Sequence, residues 1–483
     1  MKRSMVDPRG YTTTYNYTCN DTFLSQTTFP NSQTKSVTPD CSSGQSLTAT
    51  DQNGKTTSYG YDALGRKASI TYPDNGKTSY SYPQPTQVTE TKSISANVSS
   101  TSTTIWDGYG RKSTVTTSDP NGSDTVTYTY GNNLSSKCVY NPQRSTPSST
   151  DGTTCYLMDI LGRVTGITQP DGKTIGVLYL GNQATVTDEN GHQKQYTYDA
   201  FHDLTSVLEP NANGTPAWPT TYAYDGAGHV INVNQVGDGS SAAIGRSFAY
   251  DSLGRMIQQV TPESGTTSYG YDGNGNLTSK TDGRGITTTY QYDVLNRLTS
   301  KTYSGSDPAE TASSCYQYDQ SSVSGATSGA AGNMLGRLSN EWTQEGVCPP
   351  SPPSSGVITR RSILAYDPMG RVLSEQQCTP ANCTTGAPFT PTYSYDLAGD
   401  VQSSTNGTGL VSFSDTYDAA GHLSTLTSSW NDATHPPVLF SAPSYTPAGA
   451  LTSATFGTGL NLNRIYDSRQ RITNETDTGA AVQ

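Results

Sequence analysis

Between residues 268 and 298 the chain reads S-Y-G-Y-D-G-N-G-N-L-T-S-K-T-D-G-R-G-I-T-T-T-Y-Q-Y-D-V-L-N-R-L, with apolar and polar positions alternating. Tyr269 with Tyr271, and Tyr290 with Tyr292, form Tyr-x-Tyr pairs, and a side-chain period of two puts both rings of a pair on one face of a strand. Regular alternation places Leu277, Ser279, Ile286, Thr288, Tyr290 and Tyr292 on one face. Asn276, Thr278, Lys280, Thr287, Thr289 and Gln291 fall on the other. One face is aromatic and aliphatic and the other polar, as an antiparallel sheet with one solvated face requires. The runs between turns are about six or seven residues long, enough for strands near 20 Å.

The turns carry their own signal. Asp272 and Asp282 are each followed three residues later by glycine, at Gly275 and Gly285. An aspartate carboxylate caps a type I turn, and the residue three positions on takes positive φ in the bulge that follows. Glycine does this without strain. Asp272-x-Asn274-x-Asn276 resembles the opening of a calcium loop. However, Leu277 stands where that loop needs glycine and no glutamate follows at the twelfth position, so a plain turn is expected.

The element recurs along the whole chain. An aromatic-Asp-x-x-Gly motif, or a variant, begins at Asp62, Asp107, Asp159, Asp199, Asp225, Asp251, Asp272, Asp293, Asp319, Asp367, Asp396, Asp418, Thr446 and Asp467, giving 14 units. The residue three after is Gly in ten of them; His202 and Asn296 tolerate left-handed backbone, whereas Gln470 and Ser322 do not suit it. Several motifs continue as Gly-Arg, at Arg66, Arg111, Arg163, Arg255 and Arg371, read here as turn chemistry in which an exposed Asp–Arg pair contributes about 0 to 1 kcal/mol. The opposite hairpin ends read Asp7-Pro8-Arg9-Gly10, Asp51-Gln52-Asn53-Gly54, Asp119-Pro120-Asn121-Gly122 and Asp188-Glu189-Asn190-Gly191. Long gaps between motifs hold either a worn unit, as Tyr128-Thr129-Tyr130 suggests, or a loop insertion; insertions are expected near 130–157, 303–316, 320–333 and 340–362. With no composition shift to divide it, the chain is expected to be a single repeat region over 1–483. Two strands per unit give about 28, and an open twisted sheet rarely exceeds about ten before it curls, so the strip has to coil.

Composition sharpens this all-β expectation. The hydrophobic fraction is 32% and mean hydropathy −0.60, values seen in disordered chains, but only 14% of residues are charged and there are 32 Tyr against 8 Phe. A tyrosine-faced β protein fits better. The net charge of −11 argues against nucleic acid and anionic membrane as partners. No apolar run approaches the 18 or so residues of a membrane helix. The N-terminal M-K-R-S-M-V-D-P-R-G has basic residues without a following apolar core, so it does not read as a usual signal peptide.

The recurring Tyr-x-Tyr-Asp-x-x-Gly-Arg-Leu motif resembles the YD repeat of the rearrangement-hotspot (Rhs) proteins, the bacterial toxin-complex subunits and the teneurins, over about residues 7 to 475. The resemblance implies a long antiparallel meander of β-hairpins spiralling into a hollow shell, which in bacteria encloses a C-terminal toxin. It also implies secretion or a place at the cell surface. The family's Arg-Phe and Asp-Pro signature has no match before Gln483, and no toxin domain follows, so any cargo is expected outside this chain. Eight cysteines in a chain whose family acts outside the cytoplasm suggest disulfides. Sequential pairs share one irregular excursion each, which predicts Cys19 with Cys41, Cys138 with Cys155, Cys315 with Cys348 and Cys378 with Cys383; the alternative is eight free thiols.

Catalytic signatures are not found: no Gly-x-Ser-x-Gly, no phosphate-binding loop, no His-Glu-x-x-His and no Cys-x-x-Cys. No catalytic, cofactor-binding or metal-binding residue is therefore nominated, and no cofactor. His202, His229 and His422 at turns, and His192, read as solvent-facing. Trp106 replaces a motif tyrosine and reads as core; Trp218, Trp342 and Trp430 read as loop packing, with sugar stacking as the alternative. The expected role is a shell or scaffold segment of a polymorphic toxin, with protein cargo or neighbouring shell segments as partners. An adhesion or carbohydrate-binding module at a cell-surface glycan is the alternative.

Overall fold

A computed structural model describes residues 1–120, 122–132, 135–237, 242–305, 311–320, 323, 325–327, 329–383, 388–432, 434–457 and 459–479. Among these residues 39 strands form, and the one helical element is a short 3-10 turn, Gly329–Gly332. Ser322 and Asn121 lie outside the described residues. Each strand pairs antiparallel with its neighbour in sequence, giving a 31-stranded meander that ends at Val372–Cys378 and an 8-stranded one from Tyr393–Tyr395 onward. Isolated bridges from Ser374 to Thr392 and from Gln377 to Phe389 carry the strip across the junction.

The strand count exceeds two per motif because the long gaps hold worn units. Between Asp62 and Asp107 lie Lys67–Thr71, Lys77–Gln84, Gln87–Ser93 and Ser99–Trp106. Between Asp107 and Asp159 lie Lys112–Asp119, Gly122–Tyr130, Ser136–Tyr140 and Thr153–Met158. The gap before Asp367 is different: two strands, Leu338–Gln344 and Val357–Tyr366, are separated by a loop over 345–356 and preceded by the short 3-10 turn Gly329–Gly332.

Simple alternation misplaces part of the 268–298 hairpins. The pairing partners are Gly270 with Ser279 but Tyr271 with Leu277, so Thr278 is an extra residue, a β-bulge. The same one-residue shift recurs just before the motif aspartate at Tyr61, Tyr250, Tyr292, Tyr417 and Tyr466. Beyond the bulge Tyr269 faces Lys280 and Lys280 faces Thr288, so Lys280 stands on the tyrosine face, while Ser279 and Thr289 share the other. Lysines recur on that face: Lys67 lies over Tyr59 at 5.1 Å and Lys301 over Tyr303 at 5.1 Å, their stems among rings.

The molecule has little conventional core. Its accessible surface is 26,009 Å², against about 17,000 Å² for a compact monomer of this mass. The buried apolar clusters sit where excursions fold over the sheet. One joins Cys315, Trp342 and Val357, with Cys348 and Cys383 against them; the other joins Met334, Ile363 and Tyr366. All four expected cysteine pairs are formed, with Cα atoms 4.0 to 5.5 Å apart. Cys138 and Cys155 are direct cross-strand partners, so that clip spans a paired hairpin rather than an irregular loop.

Candidate functional site

With so little core, the wall is held by chemistry repeated at each turn. In the turn at Asp251, one carboxylate oxygen accepts the backbone N–H groups of Leu253 and Arg255, while the Arg255 side chain donates to the other oxygen at 2.7 Å. Gly254 donates to the Asp251 carbonyl at φ 75°. Asp272 is capped likewise by the N–H groups of Asn274 and Asn276, which makes this stretch a turn, as its sequence predicts. At the left-handed position His202 has φ 70° and Asn296 φ 62°. Gln470 also adopts φ 63°, against the expectation that it would not, because its neighbours hold the turn: Asp467 accepts from Arg469 and Arg471, and the Gln470 side chain donates to the Thr150 carbonyl.

The tyrosine that precedes many of the motif aspartates ties one hairpin to the one before. Tyr292 Oη donates to the carbonyl of Leu277 at 2.9 Å, Tyr271 to Met256, Tyr250 to Val230, and Tyr466 to Leu451. The acceptor is the residue at the bulge, where the ladder is locally disrupted. Phenylalanine offers no such donor, which accounts for the excess of tyrosine. The motif arginine does more than turn chemistry, because its guanidinium also lies over the next hairpin's tyrosine: Arg66 over Tyr82 at 4.0 Å, Arg163 over Tyr179 at 4.2 Å and Arg297 over Tyr318 at 4.3 Å. His229 and His422 occupy the arginine's place and stack on Tyr250 and Tyr445 at 4.7 and 4.4 Å, so they are not solvent-facing turn residues. His192 and His202 are exposed.

A second set of contacts joins residues 263 to 327 positions apart, where the strip coils onto itself. The motif turns of the second coil mesh with the opposite turns of the first. Arg9 donates to the Asp293 carbonyl and Asn296 Oδ1, and Asn274 donates to Asp7. Asn53 exchanges two hydrogen bonds with the Leu335 backbone, at 3.0 and 2.8 Å. Further along, Arg371 meets Asp74, and Arg469 meets Asp171 and Glu189. Leu397 N–H donates to the Ile94 carbonyl. Gly273 is part of this fit, since a Cβ there would come within 3.1 Å of Pro8.

The seam also gathers Asp119, Asp418 and His422, residue types that ligate metals. Arg144 already lies 3.1 Å from Asp119 and 2.6 Å from Asp124, and donates to the Tyr445 carbonyl. Its guanidinium supplies the positive charge a metal would bring. Of the tryptophans, Trp342 is buried on a strand rather than packed on a loop, Trp106 and Trp218 are half-buried on strands, and Trp430 is exposed with His435 stacked on it at 3.8 Å. Sequence reasoning missed the seam because its partners are some 300 residues apart, and the only hint was that both turn types carry Asp, Asn or Arg.

A coiled strip of bulged hairpins, bound by tyrosine hydroxyls and interlocking turns, defines the fold. Residues 42–77, 179–215, 250–287 and 271–308 match the RHS repeat family. These segments thus carry the Rhs, or YD-repeat, motif. No curated protein matches it by sequence. Its fold is similar to the crystal structure of TcdB2-TccC3 (TM-score 0.76, 15% identity, covering 97% of this chain and 27% of that one). The same complex without its hypervariable C-terminal region is also similar (TM-score 0.78, 14% identity, 97% and 29%). So is the Photorhabdus luminescens Tc holotoxin pore (TM-score 0.76, 14% identity, 97% and 29%). This chain spans less than a third of the length of the chains it matches.

Proposed function

We propose that this chain is a wall segment of an Rhs-type shell, secreted with or as part of a polymorphic toxin, and that it encloses or displays a protein cargo carried elsewhere. The observation that carries the proposal is the seam: two coils of one strip mesh turn against turn, as the wall of a container must. Similarity persists to the complex lacking its hypervariable C-terminal region, so that region is not what is matched, which supports the reading. In this reading 1–483 is one continuous strip region without catalytic activity, and the four disulfides suit an oxidising compartment. The adhesion reading is less favoured, because the half-buried or buried Trp106, Trp218 and Trp342 make poor platforms. A glycan array showing selective binding that Trp430→Ala abolishes would revive it.

The test is protection. A folded reporter fused after the last residue, with and without this chain, is challenged with protease. Slower digestion of the reporter in the fusion supports enclosure. Equal digestion, with the wall itself intact, counts against it.

A further inference from the structure

Asp199 opens a motif turn in which a carboxylate stands in the arginine's place. The turn reads Asp199-Ala200-Phe201-His202-Asp203, against Asp251-Ser252-Leu253-Gly254-Arg255 in the regular form. Its backbone is unchanged: Asp199 Oδ1 accepts the N–H groups of Phe201 and Asp203, at 2.8 and 3.0 Å, and His202 takes the left-handed position at φ 70°. Tyr224 of the next hairpin still donates to the Leu204 carbonyl at 2.8 Å. Only the cation is missing.

The repeat itself shows what that cation does elsewhere. Arg255 donates to Asp251 Oδ2 at 2.7 Å and to the Asp272 carbonyl at 3.0 Å, with its guanidinium over Tyr271 at 4.9 Å. Arg371 does the same with Asp367, the Asp396 carbonyl and Tyr395, at 2.5, 2.9 and 4.9 Å. The corresponding partners in the turn at Asp199 are Asp199 itself, the Asp225 carbonyl and Tyr224. These residues, with Asp203 and Tyr222, line a cavity of about 680 Å³, and none of its described lining residues is Arg, Lys or His. Burial first, and then Asp203, Tyr222 and Asp199, push the Tyr224 phenol up, as fits a ring beside two carboxylates.

We propose that this cavity binds a guanidinium group supplied from outside the chain, carried by an arginine of another polypeptide or by a free guanidino compound. The planar fork donates to the Asp199 carboxylate and the Asp225 carbonyl while its face covers Tyr224. Asp203 adds a second negative charge where the regular turn has a positive one. An ammonium is a point charge and cannot make the three contacts together. The chain's net charge of −11 favours the approach of a cation. Asp400 also stands in an arginine's place, but burial and then Asp396 push its carboxyl up toward the neutral form, so that turn lacks the second charge.

The test titrates the full chain with Nα-acetyl-arginine amide by calorimetry, using the citrulline analogue as a neutral isostere. Saturable binding of the arginine compound, at least tenfold tighter than that of the citrulline compound, supports the proposal; equal binding of the two overturns it. Methylguanidinium separates the sources. Affinity equal to that of capped arginine supports a free guanidino compound, and tighter binding of capped arginine supports a polypeptide. Asp203→Arg supplies the group from within the chain, so it should abolish binding of the arginine compound while the melting temperature holds or rises. Undiminished binding to that variant overturns the proposal. So does a clear fall in its melting temperature, since the cavity would then not accept a guanidinium. Asp203→Asn keeps the size of the side chain and should weaken binding severalfold with the melting temperature unchanged; binding that does not weaken also overturns it. None of these measurements involves cargo, so the enclosure reading stands or falls separately.

Discussion

A tyrosine hydroxyl donating to a bulge carbonyl is the smallest unit of this wall. Tyr292→Phe removes the donor to Leu277 and should cost about 0.5 to 1.5 kcal/mol locally, read as faster hydrogen exchange over Leu277–Thr281. Tyr109→Phe, at an exposed tip, should leave exchange unchanged; an equal effect of the two would show that ring chemistry rather than the hydrogen bond matters. Backbone strain gives a second test. Gly275→Val puts a branched side chain at φ 88° in open space and should cost about 1 to 2 kcal/mol. Gly254→Val should cost more, since its Cβ would also meet His229 at 2.7 Å. The carboxylates set the acid limit. The Arg255 side chain lowers Asp251, the His229 side chain lowers Asp225, and the Arg471 backbone N–H lowers Asp467, all below the ordinary 3.8. A depressed folded pKa contributes stability above the unfolded value and loses it as pH falls through the folded one. The melting temperature should therefore hold down to about pH 4 and drop below it. Asp400 and Asp415, raised by burial, act in the opposite sense and are the minority.

At the scale of the element, each hairpin is a turn, a bulge and a pair of strands too thin to bury much on its own. Single hairpins are marginal in water, so the excursions beyond the regular strip need another restraint. A disulfide closing a loop of about 15 residues contributes roughly 3 kcal/mol by restricting the unfolded chain. Cys19 with Cys41 closes a loop of similar length, and Cys138 with Cys155 clips a paired hairpin of similar span. Peptide mapping of the non-reduced protein should recover the four local pairs and none between distant excursions. A crossed pattern would contradict both the structure and the reasoning from position.

Across the whole molecule, stability is carried by neighbour contacts within a coil and by the seam between coils. Asn53 is 6% exposed and satisfies both backbone groups of Leu335. Asn53→Leu leaves those groups buried without partners and should cost about 1 to 3 kcal/mol. The loss should show as faster exchange around 333–337, with the hairpins at 199–228 unaffected. A uniform loss along the chain would mean that the coils do not act as separable neighbours.

How much of this was legible follows from the range of each interaction. The Asp-x-x-Gly turns, the alternating strands and the need to coil are local or additive properties: a carboxylate reaches two and four residues along its own chain, a strand has period two, and twist accumulates. They could be read from the 14 motifs, and so could the disulfide pairs, because each joins neighbours in sequence. The bulge at Thr278 was not legible, since one extra residue leaves no compositional trace, and it moved Lys280 to the other face. Gln470 defied its propensity because neighbours held the turn. The arginine and histidine stacking on the next hairpin, and the seam between Arg9 and Asp293 or Asn53 and Leu335, were decided only by the coil's pitch. Pitch sums small twists over the whole strip, and no single stretch of sequence encodes that sum.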